Sequence, residues 1–320
     1  MQNKIAIIGA GMSGMSCASA LSDSGATVTV FDKGRAMGGR MATRRSGCLA
    51  FNHGAPSFHA KQPDFRSFIE NLVARGSAQC IDHNRGLYGG SPNINKLLTP
   101  LTASVDIRQS TEIAEIGKTQ HGWRLSSNKG DTFEPFDTLL ICIPSPQAES
   151  LIASIAEGWT ASIKGVRYNP CLTMLLGTAQ AHPGLKSRSF AGHRVLELQV
   201  CQAMEDHKAG STRSTWVVHA TLEWSTKNIN RERDDIASDL LLEFAKANDL
   251  TVGEPAFLKG HRWRYARVRQ PLGQSCLWDE RMRLGLAGDW CLGADVEDAF
   301  KSGKSLAERV IETAGSAPLV

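Results

Sequence analysis

The stretch KIAIIGAGMSGMSCASALSDSGATVTVFD, residues 4–32, decides the fold. Its opening KIAIIGA reads as an apolar strand, MSGMSCASALSDSG as a helix, and GATVTVFD as a second, parallel strand that ends in an acid. Gly9, Gly11 and Gly14 stand in the order G-x-G-x-x-G where strand gives way to helix, which is the context that gives this motif meaning. Gly9 permits the tight turn, Gly11 lets the backbone approach a pyrophosphate, and Gly14 lets the helix pack close to the strand. The free N–H groups and the positive end of the helix dipole then favour an anion without any basic side chain. Asp32 follows eighteen residues after Gly14. A carboxylate there accepts from both hydroxyls of a ribose and repels a 2′-phosphate, so the first nucleotide is an AMP moiety.

The same N-terminal run imitates a secretory leader, with Lys4, the apolar span Ile5 to Met15 and the triplet Ala18-Ser19-Ala20. Its apolar part is interrupted by the three glycines, which favours the nucleotide reading. The next segment, KGRAMGGRMATRR at 33–45, carries five basic residues and Gly34, Gly38 and Gly39. It would run along the same diphosphate, with Gly38 and Gly39 allowing close approach and Arg40 as a charge-assisted donor. Arg35, Arg44 and Arg45 contribute there or are simply solvated.

A chain of 320 residues can bury a substantial core and is long enough for two domains, or for one interrupted by another. Thirty-six Lys plus Arg against 32 Asp plus Glu give a net charge of +4, too small an excess to indicate nucleic acid. The eight cysteines contain no C-x-x-C, so neither a zinc site nor a disulfide framework is suggested, and no metal is expected. Reduced thiols point to the cytoplasm. No apolar stretch approaches the ~20 residues that span a bilayer.

Further along, FRSFIENLVAR (65–75) has helical periodicity, and SPNINKLLTPL offers a short helix begun by Ser91 with Pro92 in its first turn. Residues 105–144 read as short strands closing on the apolar TLLICIP, and 145–159 as helix. CLTMLLGTA, RVLELQV and STWVVHATLEW suit an antiparallel sheet, followed by a long amphipathic helix at RERDDIASDLLLEFAKAND. HRWRYARV alternates, with His261, Trp263 and Tyr265 on one face and Arg262 and Arg264 on the other. MRLGLAGDW is a strand ending at Asp289, and a helix begins near Val296. That order, strand then Gly-Asp then helix, suits a flavin whose ribityl chain meets a carboxylate and whose pyrimidine end meets a helix start. SGKS at 302–305 is no P-loop, because Asp298 stands where the motif needs glycine.

These segments, with WVVHATLEWS, HRWRYAR and GLAGDWCLGADVEDAFKSGKSLAERV, resemble the bacterial renalase branch of the FAD-dependent amine-oxidase-like superfamily. The resemblance implies an α/β protein: a Rossmann-type FAD-binding domain, doubly wound with a mostly parallel sheet, assembled from 1–60, 101–160 and 275–320. An α+β substrate domain on an antiparallel sheet is inserted, from 61–100 and 161–274. FAD is implied to be non-covalent, held by Gly9, Gly11, Met12, Ser13, Gly14, Asp32, Lys33, Gly39, Arg40, Met41, Gly54, Ala55, Ile113, Gly288, Asp289 and Val296. His261, Trp263 and Trp290 are implied to lie at the substrate face. The implied reaction is hydride transfer to flavin from 2- and 6-dihydro isomers of NAD(P), with O2 reoxidising the flavin to give H2O2. An amine oxidase or other oxidase on the same scaffold, and a non-catalytic FAD-binding module, are the alternatives. The partners implied are a dinucleotide or amine substrate and O2, without nucleic acid or membrane; no oligomeric state is implied.

Two departures from the branch stand out. HGAPSF (53–58) replaces a Gly-Ala-Gln-Tyr-Phe run, so Pro56 and Ser57 take the places of an amide and an aromatic ring. Asp298 takes the place of a glycine, and its carboxylate is expected to point outward, since an inward one would oppose a reduced anionic flavin. His53 and His59 flank the altered loop. Because the cofactor carries the chemistry, His261 is a positioning or polarising group, or else a core histidine held by a backbone carbonyl. Arg262 and Arg264 meet substrate phosphates or face solvent.

Overall fold

The computed structural model describes residues 3–178, 182, 184–206 and 211–315. Its strands are β1 Lys4–Ile8, β2 Thr27–Phe31, β3 Thr43–Ser46, β4 Leu49–Asn52, β5 Phe58–His59, β6 Ala78–Asp82, β7 Leu87–Gly90, β8 Asp106–Arg108, β9 Ile113–Thr119, β10 Gly122–Ser127, β11 Thr132–Phe136, β12 Thr138–Ile141, β13 Arg167–Gly177, β14 Arg188–Ser189, β15 Leu196–Asp206, β16 Ser211–Ala220, β17 Phe257–Gln270, β18 Leu277–Asp279 and β19 Leu284–Leu286. The α-helices are α1 Met12–Asp23, α2 Pro63–Ala74, α3 Ser145–Ile152, α4 Glu157–Ile163, α5 Leu222–Asn228, α6 Arg233–Ala247 and α7 Val296–Gly315.

Two compact units share the chain: Met1–Gly39, Ser57–Arg167 and Val268–Val320 form the first, Arg40–Pro56 and Tyr168–Arg267 the second. The first is built on a sheet of order β18-β19-β12-β1-β2-β8, parallel except for the edge strand β18. Its inner strands β1, β2, β12 and β19 are apolar and buried almost throughout because a parallel sheet is covered on both faces. The leader-like residues therefore form β1 and the buried side of α1. Helix α7 packs on α1 at Gly303, where a Cβ would run into the carbonyl oxygen of Ser13.

Residues 61–100 pack with the first unit and 40–56 with the second, a partition different from the segments expected above. In the first unit the cause is a ring cluster, Phe65 and Phe68 against Phe300 of α7, and a helix cap. The buried carboxylate of Glu297 accepts from Lys61 N at 2.9 Å and Gln62 N at 2.7 Å, the open end of α2. Glu297→Ala takes the acceptor from two partly exposed N–H groups; it is expected to cost about 1–2 kcal/mol in urea unfolding. Glu297→Gln, which keeps one acceptor, should recover part of that. Unchanged stability in Glu297→Ala would refute this cap.

The second unit is an antiparallel sheet of order β14-β15-β16-β13-β17. One face, with Leu172, Met174, Leu176, Trp216 and Val218, packs on Ile236, Leu240 and Phe244 of α6. On the other, Leu175 and Val217 receive Leu49 and Phe51 of the β3–β4 hairpin, and Phe51 stacks on Phe257 at 4.9 Å. That packing is why 40–56 belongs to this unit.

Several elements differ from expectation. The helix placed at Ser91 is a 3-10 helix over Ile94–Thr102, since Asn93 is extended at φ −137° and ψ 153°. The helix at 145–159 is two, α3 and α4. STWVVHATLEW ends as a strand at Ala220, and Thr221 caps α5 by accepting from Trp224 N at 3.3 Å. Asp289 lies beyond β19, in the 3-10 turn Asp289–Cys291. No helix among the described residues is long and apolar enough to cross a membrane.

Candidate FAD and substrate site

The Gly-rich turn takes the form its sequence requires. Gly9 has φ +110°, open to glycine, and a Cβ on Gly14 would run into the carbonyl oxygen of Gly9. Gly11 differs: a Cβ there meets nothing within 4 Å. It is the N-cap of α1 and provides no side-chain cap, so the helix start faces open space with its N–H groups available. Met12 and Ser13 form that first turn, and the Ser13 hydroxyl is buried without a hydrogen-bond partner. An anion placed here supplies the missing acceptors. Non-covalent FAD fits this cradle through its diphosphate.

Asp32 lies at the end of β2. One carboxylate oxygen accepts from Ala10 N at 2.7 Å and the other from Gly34 N at 2.6 Å. Burial raises its pKa and these two N–H groups oppose that rise. They also fix the carboxylate's orientation while leaving each oxygen a further lone pair for a ribose hydroxyl. Gly38 and Gly39 take φ +133° and +54°, and Gly38 N donates to Ala10 O at 2.9 Å, bringing the basic loop onto the Gly-rich turn. Lys33 reaches Gln147 Oε1 at 3.3 Å on the surface. Ile113 is buried at the start of β9.

At the other end of this unit, Gly288 N donates to Ser302 Oγ at 3.0 Å, and buried Asp289 accepts from Trp290 N at 2.9 Å. The Trp290 ring is fully buried, and its Nε1 donates to Ile143 O at 3.0 Å. It is anchored as a core ring. Val296 opens α7, whose N-cap is Asp295. Asp298 is half-buried, and its Oδ2 accepts from Asp295 N at 2.9 Å. The carboxylate thus takes up the N–H of the residue before α7, the reason an acid is tolerated there.

In the second unit Arg40 donates to the carbonyls of Tyr265 and Ala266 at 3.4 and 3.3 Å. Its guanidinium is thus tied to β17. Met41 is buried in the 3-10 turn Gly39–Met41, Ala55 N donates to Arg40 O at 2.9 Å, and Gly54 leaves no room for a Cβ against that same carbonyl. Arg262 and Arg264 meet Arg231 O and Asn230 Oδ1 respectively, on the α6 side of the sheet.

The opposite side of β17 holds an aromatic group. The His261 ring lies 4.3 Å from Trp263 and 4.8 Å from His53, and His53 lies 5.1 Å from Trp263 between ring centroids. Trp263 Nε1 donates to His53 O at 3.0 Å and Tyr265 meets Tyr168 at 5.4 Å. Burial, reinforced by Arg44, pushes the His53 imidazole down to about 4. Burial, with His53, Arg233, Arg44 and Arg262 nearby, pushes His261 to about 3. Among the described residues the His261 ring has no hydrogen bond to a backbone carbonyl, the alternative raised for it above; its ring neighbours are His53 and Trp263.

His219 of β16 was missed in the sequence. It is buried, neither ring nitrogen has a well-aligned hydrogen bond among the described residues, and burial holds it down at about 4. Strand parity carries the signal: with Trp216 and Val218 on the helix side, His219 must face the other side, which it shares with Thr173. His53 Nδ1 is likewise buried and unpaired. His59 stands apart in the first unit, its Nδ1 2.9 Å from Arg85 O.

Comparison with known proteins agrees with this architecture. Residues 7–72 match the model of an NAD(P)-binding Rossmann-like domain, and residues 74–311, well over half the chain, match that of flavin containing amine oxidoreductase. Among solved structures, a putrescine oxidase redesigned in its cofactor binding superposes with TM-score 0.69 at 10% identity, covering 97% of this chain and 99% of that one. Cyclohexylamine oxidase from Brevibacterium oxydans IH-35A gives TM-score 0.67 at 12% identity, covering 98% and 100%. The glycine cradle, the Asp32 carboxylate and these matches lead to one conclusion: the chain belongs to the flavin containing amine oxidoreductase family and is an FAD-dependent oxidoreductase.

Proposed function

We propose that this oxidoreductase is renalase-like, oxidising the 2- and 6-dihydro isomers of NAD(P) to the NAD(P) cation. FAD, when bound, accepts the hydride and passes its two electrons to O2, giving H2O2. The reading is carried by one observation: the imidazoles of His53 and His261 are neutral in a positive field. Arg44, Arg233 and Arg262 are the fixed charges that act on them. Such a field opposes an ammonium ion, and imidazoles at about 4 and 3 are far too weak to deprotonate one. A dihydropyridine asks for neither service, because it loses a hydride and keeps its ring protons. The same positive field favours a substrate that carries phosphates. In this reading His261 and Trp263 present the ring surface against which the dihydropyridine lies, and His53 orients His261 without moving a proton. Gly9, Gly11, Gly14, Ser13 and Asp32 hold the AMP half of FAD, and Gly39, Arg40, Gly54, Ala55, Asp289 and Val296 the remainder.

The edge-on pair Tyr168–Tyr265 favours a second reading, an amine held between aromatic rings. An anaerobic titration of the yellow protein separates the two, with flavin absorption followed on adding each dihydro isomer of NAD and NADP, ordinary NADH and a panel of amines. Bleaching within seconds by the isomers alone, with the β-NAD(P) cation as product, is the expected result. Bleaching by an amine alone would replace it with the second reading.

A further inference from the structure

SGKS at 302–305, which is no P-loop, lies inside α7 with its first two residues both committed to other elements. Ser302 is fully buried. A serine inside a helix commonly turns its hydroxyl back on its own helix, whereas Ser302 Oγ donates to Ser275 O at 2.6 Å and accepts from Gly288 N at 3.0 Å. Strands β18 and β19 pair with Leu277 against Leu286, and that register, continued outward, sets Ser275 opposite Gly288. The hydroxyl therefore stands between two facing residues where the ladder has ended, and the chain leaves β19 there for the Asp289 turn.

Gly303, one residue on, faces α1. A Cβ there would run into the carbonyl oxygen of Ser13 and the hydroxyl of Ser16, and that hydroxyl lies 3.0 Å from Ser13 O and 3.1 Å from Phe300 O. Ser13 belongs to the first turn of α1, the diphosphate cradle. Successive residues of one helix thus fix the cradle and the Gly288–Asp289 turn to each other. The far end of that turn is held separately, since Trp290 O and Cys291 O accept from Leu272 N and Gly273 N, each at 2.9 Å. At the near end the Gly288 N–H goes to Ser302.

We propose that Ser302 is a positioning residue for FAD, setting the Asp289 carboxylate at a fixed place relative to the diphosphate cradle. The proposal rests on the assignment of Asp289 to the part of FAD beyond the diphosphate. Alanine at 302 removes the link, so the buried Gly288 N–H and the Ser275 carbonyl either go unpaired or close on each other. Either way the Asp289 turn shifts, while Gly303 still holds α7 on the cradle. ADP, which reaches only the cradle, does not sense the change; FAD, which reaches both turns, does.

The test titrates the full chain, freed of flavin, with FAD and separately with ADP. Ser302→Ala should raise the FAD dissociation constant about tenfold and leave that of ADP within about twofold of the parent. Asp289→Asn should likewise weaken FAD and spare ADP, and Ser302→Ala added to it should change little more, because the serine acts through Asp289. Ser302→Cys, close in volume but a weak donor and acceptor, gives the same split where the alanine variant does not fold. Equal weakening of FAD and ADP would mean a packing role and overturn the proposal, as would an unchanged FAD affinity in Ser302→Ala or full additivity of the two variants. An FAD affinity unchanged in Asp289→Asn alone would show that the Asp289 assignment is at fault, and the proposal falls with it.

Discussion

Gly14→Val is expected to yield a colourless protein destabilised by about 3 kcal/mol or more. A Cβ on residue 14 would run into the carbonyl oxygen of Gly9 and stand 3.3 Å from Cys142 Cβ. Backbone oxygen cannot swing aside as a flexible side chain can, so α1 must lift from β1, and the branched side chain of valine adds to the clash. The lifted helix no longer aims its N–H groups at the diphosphate. Gly11→Ala is the instructive control, because its Cβ meets nothing within 4 Å and its φ of −82° suits any residue. It should fold within about 1 kcal/mol of the parent yet lose most of its flavin, since the added methyl stands where the diphosphate must approach. Flavin absorbance per chain and the unfolding midpoint read both outcomes. Full flavin occupancy in Gly11→Ala would move the diphosphate away from this turn.

A steep loss of stability below neutrality is the second large effect expected. His53 and His219 are held at about 4 and His261 at about 3, burial being the first cause in each. In the unfolded chain all three titrate near their ordinary ~6.5. Between these values the unfolded chain takes up protons that the folded chain refuses. The stabilisation is therefore complete above about pH 6.5 and is lost as pH falls toward 4, with a limiting slope near 1.4 kcal/mol per pH unit for each histidine, or about 4 for the three together. Asp32 and Asp298, both raised chiefly by burial, act with the opposite sign and soften the fall at its acid end. Urea unfolding at several values between pH 7 and pH 5 measures the slope. His219→Phe should flatten it by about one proton, and a parent curve that is level over this interval would mean that the imidazoles are not held neutral.

The two predictions divide along the line between local and non-local information. The Gly-rich turn was legible because its main constraints are local: Gly9 takes a positive φ, Gly14 packs on the Gly9 carbonyl oxygen, and Asp32 follows at the distance that one helix and one strand demand. The regular alternation of HRWRYARV likewise assigned His261 and Trp263 to one side of β17 and the two arginines to the other. The boundaries at Asn93 and Thr221 were less legible, since a helix start depends on one extended residue or one capping hydroxyl. The bond from the Asp295 N–H to the Asp298 carboxylate was not legible either, because the two meet only once the first turn of α7 has formed.

What the sequence by itself determined is the first unit's βαβ core, its Gly-rich anion cradle, the acid at the end of β2, and the alternation of the second sheet. These follow from backbone sterics and strand periodicity, which act within a few residues. Tertiary structure alone decided that the hairpin at 43–52 packs with residues more than a hundred positions away, and that Glu297 caps α2. It also decided that His219 and His53 lose their protons and that Ser302 lies between Ser275 and Gly288. Each of these depends on which distant side chains exclude water from a group, and burial is a property of the folded whole that no local stretch of sequence carries.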